Sequence, residues 1–227
     1  MRVTENFLIN LATDAAAKGR DRLAAVGEIA ASGVAVNRPS ENGVAWAEGT
    51  RADARKIMST SRHSTIARAH ERLTTADRSF QTVDDVLQRT IELATQMANG
   101  SYGPEQRKYA AIEVRSLRDS AIAAANVQDN NGEFVFAGAQ GNKPPFNATG
   151  VYQGDAQTNV VETAEHQQQT ITLPGTVFTA AAGVNVFDVM TRLAQSMDNN
   201  DPTAISNALP TLHTAIRVPA TERAEEI

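Results

Sequence analysis

Apolar side chains recur along the first part of the chain at a helical spacing. The series Ile9, Ala12, Ala16, Gly19, Leu23, Val26, Ala30 advances by alternating steps of three and four residues. That is the narrow seam of a helix lying along other helices. Its middle is only alanine and glycine, so the stretch is weak alone and needs a partner. Ser32-Gly33 closes it, glycine being the usual residue just past a helix. Asn37-Arg38-Pro39-Ser40-Glu41-Asn42-Gly43 then reads as a turn-rich link, because proline and Asn-Gly bar a continuous helix. Ser40 is placed to cap the next helix, with Trp46 as a single large apolar anchor.

The clearest periodicity lies between Ile66 and Met97. One seam position reads Ile66, Leu73, Phe80, Leu87, Ala94 and the other Ala69, Ala76, Val83, Thr90, Met97. Five consecutive heptads predict coiled-coil-like packing over a helix of about 50 Å. Val86, Ile91 and Leu93 broaden the apolar face near its end. Asn99-Gly100 stops this helix and Gly103-Pro104-Glu105 restarts one, with Ala110, Val114, Leu117, Ala121 and Ala124 on one stripe. The short connection favours an antiparallel hairpin.

After Asn130-Asn131-Gly132 the period becomes short and extended. Phe134-Val135-Phe136, Val151-Tyr152, Val160-Val161 and Thr170-Ile171-Thr172-Leu173 are strand candidates among glycines and prolines. Helix returns over Val186–Leu193 and again after Asp201-Pro202, an N-cap and first-turn proline; Pro210 and Pro219 then interrupt the end. The expected fold class is mainly α with a small β part: a long antiparallel helical hairpin in a coiled-coil rod, followed by a β domain. Four segments are expected: 1–40 as an amino-terminal helix and link, 41–130 as the rod hairpin, 131–180 as the β domain, and 181–227 as returning helices.

Composition fits shared cores better than one large core. The 227 residues are 41% hydrophobic but only 5% aromatic, and alanine carries much of that total. Residues 1–129 hold 17 Lys/Arg against 16 Asp/Glu, whereas 130–227 hold 4 against 10, leaving a net charge of −5. The first part reads as a solvated rod and the second as sparse and acidic. The absence of cysteine excludes a disulfide scaffold, a thiol nucleophile and thiolate metal sites. No stretch approaches the roughly 18 consecutive apolar residues of a membrane span, and Phe7-Leu8-Ile9 is too short for a cleavable signal. Composition alone places the chain in the cytoplasm.

Candidate chemistry is thin. His63 and His70 lie one heptad, about 11 Å, apart on a helix, too far to share an ion without other ligands; His166 and His213 stand alone. No Ser-His-acid arrangement emerges. Gly138-Ala139-Gln140-Gly141 lacks the phosphate-loop pattern and reads as a turn, and Asn147-Ala148-Thr149 matters as a glycosylation triplet only in a eukaryotic secretory route. Arg51, Arg55, Lys56, Arg62, Arg68, Arg72 and Arg78 form a basic stretch without interleaved aromatics, which favours a solvated or packing face over nucleic acid. No catalytic, cofactor-binding or metal residue is assigned.

A series of short motifs carries a resemblance. It comprises Met1-Arg2-Val3-Thr4, Ser32-Gly33, Asn37-Arg38-Pro39-Ser40, Ala98-Asn99-Gly100, Asn126, Gly132–Gly138, Pro145-Phe146, Tyr152-Gln153-Gly154-Asp155, Pro174-Gly175, Phe178 and Val186-Phe187-Asp188. In this order they resemble the hook-associated protein 3 family, the hook–filament junction proteins of the flagellin superfamily, from Met1 to about residue 218. The resemblance implies an extracellular structural protein of the bacterial flagellum, exported by the flagellar type III route without a cleaved signal. It implies no enzyme, cofactor, nucleic acid or membrane insertion. Implied partners are further copies in a homo-oligomeric ring, a hook-side junction protein, flagellin and an export chaperone. Ile9, Leu23 and Val26 are then assembly residues facing inward. Ile66, Leu73, Phe80, Val83 and Leu87 pack the middle layer, Asn37, Arg38, Pro39 and Ser40 form the inter-segment turn, and the β part faces outward. Glu41-Asn42-Gly43 departs from the family's two aspartates and proline. The family's long carboxy-terminal helix is also expected beyond Arg217, so this polypeptide is expected to assemble poorly or to be a fragment or frameshifted product. The readings left beside this one are a short filament flagellin and, from another class, a helical-bundle binding module or enzyme with a β lid.

Overall fold

The computed structural model describes the backbone of residues 2–225 except 156, 159, 165–166, 171–172 and 180–183; side chains are described outside 2–5, 161–164, 168 and 217–225 as well. Its elements are α1 (Arg2–Ser32), α2 (Gly43–Met97), α3 (Pro104–Ala125), β1 (Val160–Ala164), β2 (Gln167–Thr170), a 3-10 turn at Gly175–Phe178, α4 (Val186–Asp198) and α5 (Pro202–Glu225). The chain divides into two units, Met1–Ser61 and Arg62–Ile227, with α2 belonging to both.

In the first unit α1 stops where the sequence places its glycine, Gly33 taking φ +70°. Pro39 sits at the second position of a turn closed by the Glu41 N–H donating to Arg38 O at 3.1 Å. Glu41 braces the same turn, its carboxylate accepting from the N–H groups of Asn37 at 2.9 Å and Arg38 at 3.4 Å. Ser40 does not cap α2. Asn42 does, its Oδ1 accepting from the Ala45 N–H at 3.0 Å, because α2 begins at Gly43 and only Asn42 lies at the capping position. Trp46 remains 38% exposed and lines a cavity of about 330 Å³ with Val34, Val36, Ala45 and Gly49.

In the second unit α3 runs antiparallel to α2. Ser79 meets Ala124, Arg89 meets Glu113, and Arg107 meets Met97, so later residues of one face earlier residues of the other. α4 lies antiparallel along α3 through Arg118 to Thr191 at 3.1 Å and Arg115 to Asp198. Asn185 caps α4, and Asp201 caps α5 through the N–H groups of Thr203 and Ala204. α5 continues past Pro210 and Pro219, contrary to the expected interruption. Ile205, Leu212 and Ala215, all buried, hold its first part in place.

The β content is smaller than the apolar runs suggest. β1 and β2 form an antiparallel hairpin, Val160 facing Thr170. Ile171 and Thr172 lie outside the described residues. Phe134-Val135-Phe136 is not a strand, its single bridge joining Gln128 to Phe134, and Tyr152 makes one bridge to Phe146. Segment 131–180 supplies Val135, Phe136, Phe146, Val177 and Phe178 to the same core as α2, α3, α4 and α5.

Candidate assembly surfaces

Of the residues that carry the resemblance, those from Asn126 onward converge in the second unit. Phe178 is the hub of a ring cluster, its centroid 5.3 Å from Phe80, 5.1 Å from Phe136, 5.9 Å from Phe146 and 6.2 Å from Phe187. These tilted and edge-on pairs match the preference set by the ring quadrupole. Tyr152 adds its ring against Phe146 and its hydroxyl against the backbone, donating to Asp155 O at 2.6 Å and accepting from the Gly175 N–H at 3.3 Å. Burial pushes this phenol's pKa up, the Asp155 charge adds to that, and the Gly175 N–H opposes it. Asn126 clips Phe146 by both amide atoms, donating to its carbonyl and accepting from its N–H, each at 2.9 Å.

Glycines mark the closest approaches. Gly138 has φ +68°, and a Cβ there would overlap the Asp155 carboxylate, which accepts from the Ala139 N–H at 2.8 Å. A Cβ on Gly150, at φ +79°, would lie 2.5 Å from Phe187 Cβ. The Gly138–Gly141 stretch is thus a turn filled by the chain's own carboxylate.

Two arginines that periodicity does not single out do much of the fastening. Arg72, from the basic stretch, donates to the carbonyls of Phe134 at 3.0 Å and Val135 at 2.9 Å and pairs with Asp129 and Glu133. Arg107 is buried in the first turns of α3, donating to Met97 O at 2.9 Å, Asn99 O at 3.0 Å and Asn200 Oδ1. Its charge sits at the carboxy-terminal ends of α2 and α4, where helix dipoles favour a cation. A basic residue so near the start of its own helix opposes that dipole, and this is the signal in the sequence that could have found it.

The packing residues expected from the sequence fall into two sets. Phe80, Val83 and Leu87 are buried, and Ile66 and Leu73 are half-buried. Ile9, Leu23 and Val26 are 60%, 75% and 62% exposed, beside Phe7, Leu8 and Leu11 on the same helix. Burying one such side chain is worth about 1.5–3 kcal/mol, so α1 displays a large unused apolar surface. Of the turn residues, Asn37 is half-buried while Arg38, Pro39 and Ser40 are exposed. His63, His70 and His213 are exposed, and His166 lies outside the described residues. Among the described residues no group of three His, Cys, Asp or Glu could hold a metal, and no helix is long and apolar enough to cross a membrane.

Residues 3–141 match the model of the bacterial flagellin N-terminal helical region. The chain belongs to this family. Within it, the chain is 26% identical over 135 residues to flagellar hook-associated protein 3 of Escherichia coli K12, covering 58% of this chain and 42% of that protein. It is 29% identical over 196 residues to the flagellar filament 33 kDa core protein of Treponema phagedenis, covering 86% of this chain and 65% of the other. The chain therefore spans less than half the length of the curated hook-associated proteins it matches. The fold is shared with FlgL of Xanthomonas campestris at a TM-score of 0.68 and 19% identity, covering 76% of this chain and 90% of that one. The expected fold class, mainly α with a small β part and like that of the flagellins, is thus the one observed.

Proposed function

We propose that this chain is a structural subunit of the bacterial flagellum, working at the hook–filament junction by helix packing and not by catalysis. The single observation carrying this reading is the contrast between the units. The second buries its own seam and ring cluster, while the first leaves Ile9, Leu23 and Val26 mostly in water. Exposed apolar surface of this extent marks an interaction face. The similarity to hook-associated protein 3 supports the junction as the place. On this reading copies form a ring between a hook-side junction protein and flagellin. They arrive through the flagellar type III route with an export chaperone and no cleaved signal.

The similarity to a filament core protein favours one second reading, a filament subunit. Immunogold labelling of flagella from cells expressing a tagged full chain separates the two. A band confined to the hook–filament boundary is expected; label along the whole filament supports the second reading, and unlabelled flagella refute both.

A further inference from the structure

The outward face of α3 carries two large side chains with nothing over them. Tyr109 is 71% exposed and Ile112 is 61% exposed, one turn apart on the same stripe. The ridge is flanked on the α4 side by the Arg115–Asp198 pair, which is neutral, and on the α2 side by an acidic excess. There Arg89 alone answers Glu92 at 3.1 Å and Glu113 at 2.8 Å, and the two carboxylates hold its guanidinium more firmly protonated than usual. Asp85, one turn before Arg89 and also exposed, adds a further negative charge.

A complementary surface lies on the early part of α2. Ile57 is 70% and Met58 63% exposed, and Arg51, Arg55 and Lys56 stand around them against the single acid Asp53. Ile57 is off the seam. Carried back by heptads from Ile66 and Ala69, the seam positions are Ser59 and Arg62, then Ala52 and Arg55. At about 100° of rotation per residue, Ile57 lies some 200° round the helix from Ser59. Ile57 therefore lies away from the seam positions, whereas Met58 flanks them one turn after Arg55, and both are left exposed.

We propose that Tyr109 and Ile112 form a docking ridge for a second copy of this chain, and that the Arg51–Met58 segment of that copy seats on it. Ile57 and Met58 cover the ridge, the methionine sulfur against the tyrosine ring. The basic side chains meet the acidic excess of Asp85, Glu92 and Glu113. An apolar centre with a charged rim is the usual anatomy of a protein interface. Because the two surfaces differ, the contact is heterologous, and repeated it generates a ring or a helical array. The contact deepens the self-assembly reading above and rests on it.

The chain has no cysteine, so introduced thiols are unique. Full chains carrying Met58→Cys and Ile112→Cys, each with its own tag, are mixed as purified protein and co-expressed in flagellated cells, then mildly oxidised. The expected result is a mixed disulfide dimer at least about tenfold above the pairing of either variant with Lys143→Cys, as docking raises effective concentration. Tyr109→Lys, on an exposed position that leaves the melt unchanged, abolishes it. Lys56→Glu and Asp85→Lys each reduce it about threefold, and together restore it, as exposed ion pairs of this kind do. A mixed dimer no more abundant than the Lys143→Cys controls overturns the interface. If the tagged chain still bands at the junction, the functional reading stands without it. If the dimer forms in purified protein while flagella carry no chain, the interface stands and the functional reading falls.

Discussion

Removing the Phe178 ring tests the core of the second unit most directly. The side chain is fully buried and touches four other rings contributed by α2, the 131–146 segment and α4. Phe→Ala in a core costs about 3–5 kcal/mol, and each ring pair is worth about 0.5–1.5 kcal/mol beyond its area. With four neighbours anchored in separate segments, the cavity cannot collapse, which puts Phe178→Ala at the top of that range, about 5 kcal/mol. Taking a urea slope of about 2 kcal/mol/M, the midpoint followed by far-ultraviolet circular dichroism should fall by about 2.5 M. Phe178→Leu, which keeps most of the volume, should lower it by less than about 1 M. Trp46, the chain's single tryptophan, lies in the first unit, so its emission without urea should not change. Phe7→Ala, at a 65% exposed position, serves as the neutral control. A shift below about 0.5 M for Phe178→Ala corresponds to under about 1 kcal/mol and would refute the ring-hub reading.

Three further outcomes are expected. Gly132→Ala and Gly138→Ala both force a side chain into positive φ, but only the second also meets Asp155. The first should cost about 1 kcal/mol and the second more than about 3 kcal/mol, read as the difference in melting midpoint; equal losses would show that Asp155 does not fill that turn. Tyr152 has a folded pKa raised above 10.0 by burial, so its stabilising contribution is complete below about pH 10 and fades as pH rises through the folded value. Tyr152→Phe should therefore be less stable than the parent at about pH 8 and lose less on going to about pH 11; parallel urea midpoints at both would contradict this. Arg107→Lys leaves one ammonium where a guanidinium reaches three acceptors, and should lower stability by about 2 kcal/mol while Lys108→Arg on the exposed face changes nothing, both measured by chemical denaturation.

The helices were legible because heptads spell them out over many turns, and Gly33 and Pro104 mark two of their boundaries. The errors arose where a long-range partner overrode a local preference. Phe134-Val135-Phe136 has strand composition, yet its carbonyls are taken by the Arg72 guanidinium and, at Phe136, by the Gly175 N–H at 2.8 Å. No period in the sequence announces a side chain from 62 residues away capturing a backbone. Pro210 breaks the rule for helix interiors at a cost of about 3 kcal/mol, and buried Ile205 and Leu212 on either side offset it. Ser40 and Asn42 are both good caps, and only the position of the first helical residue decides between them. For the assembly surface, the thin seam of α1 announced a need for partners, whereas Tyr109 and Ile112 gave no signal, since an isolated exposed apolar residue is ordinary.

The scarcity of aromatic residues is explained by where they stand. Phe80, Phe136, Phe146, Phe178 and Phe187 are buried in one cluster, with Tyr152 packed beside it. That cluster joins Phe80 of α2 and Phe187 of α4 to Phe136, Phe146 and Phe178, which stand outside the α-helices and have no periodic contacts to hold them. The helix pairs, by contrast, pack through aliphatic side chains, alanines such as Ala76, Ala94, Ala111 and Ala121 alternating with larger ones such as Leu87, Met97, Ile122 and Leu193. Phe7, Trp46, Tyr102 and Tyr109 stay outside the cluster and remain 65%, 38%, 38% and 71% exposed. On the assembly reading proposed above, a neighbouring molecule covers the exposed part of these rings, at about 25 cal/mol per Å² of apolar area removed from water. Within the second unit the rings thus join α2 and α4 to the loops that periodicity cannot hold.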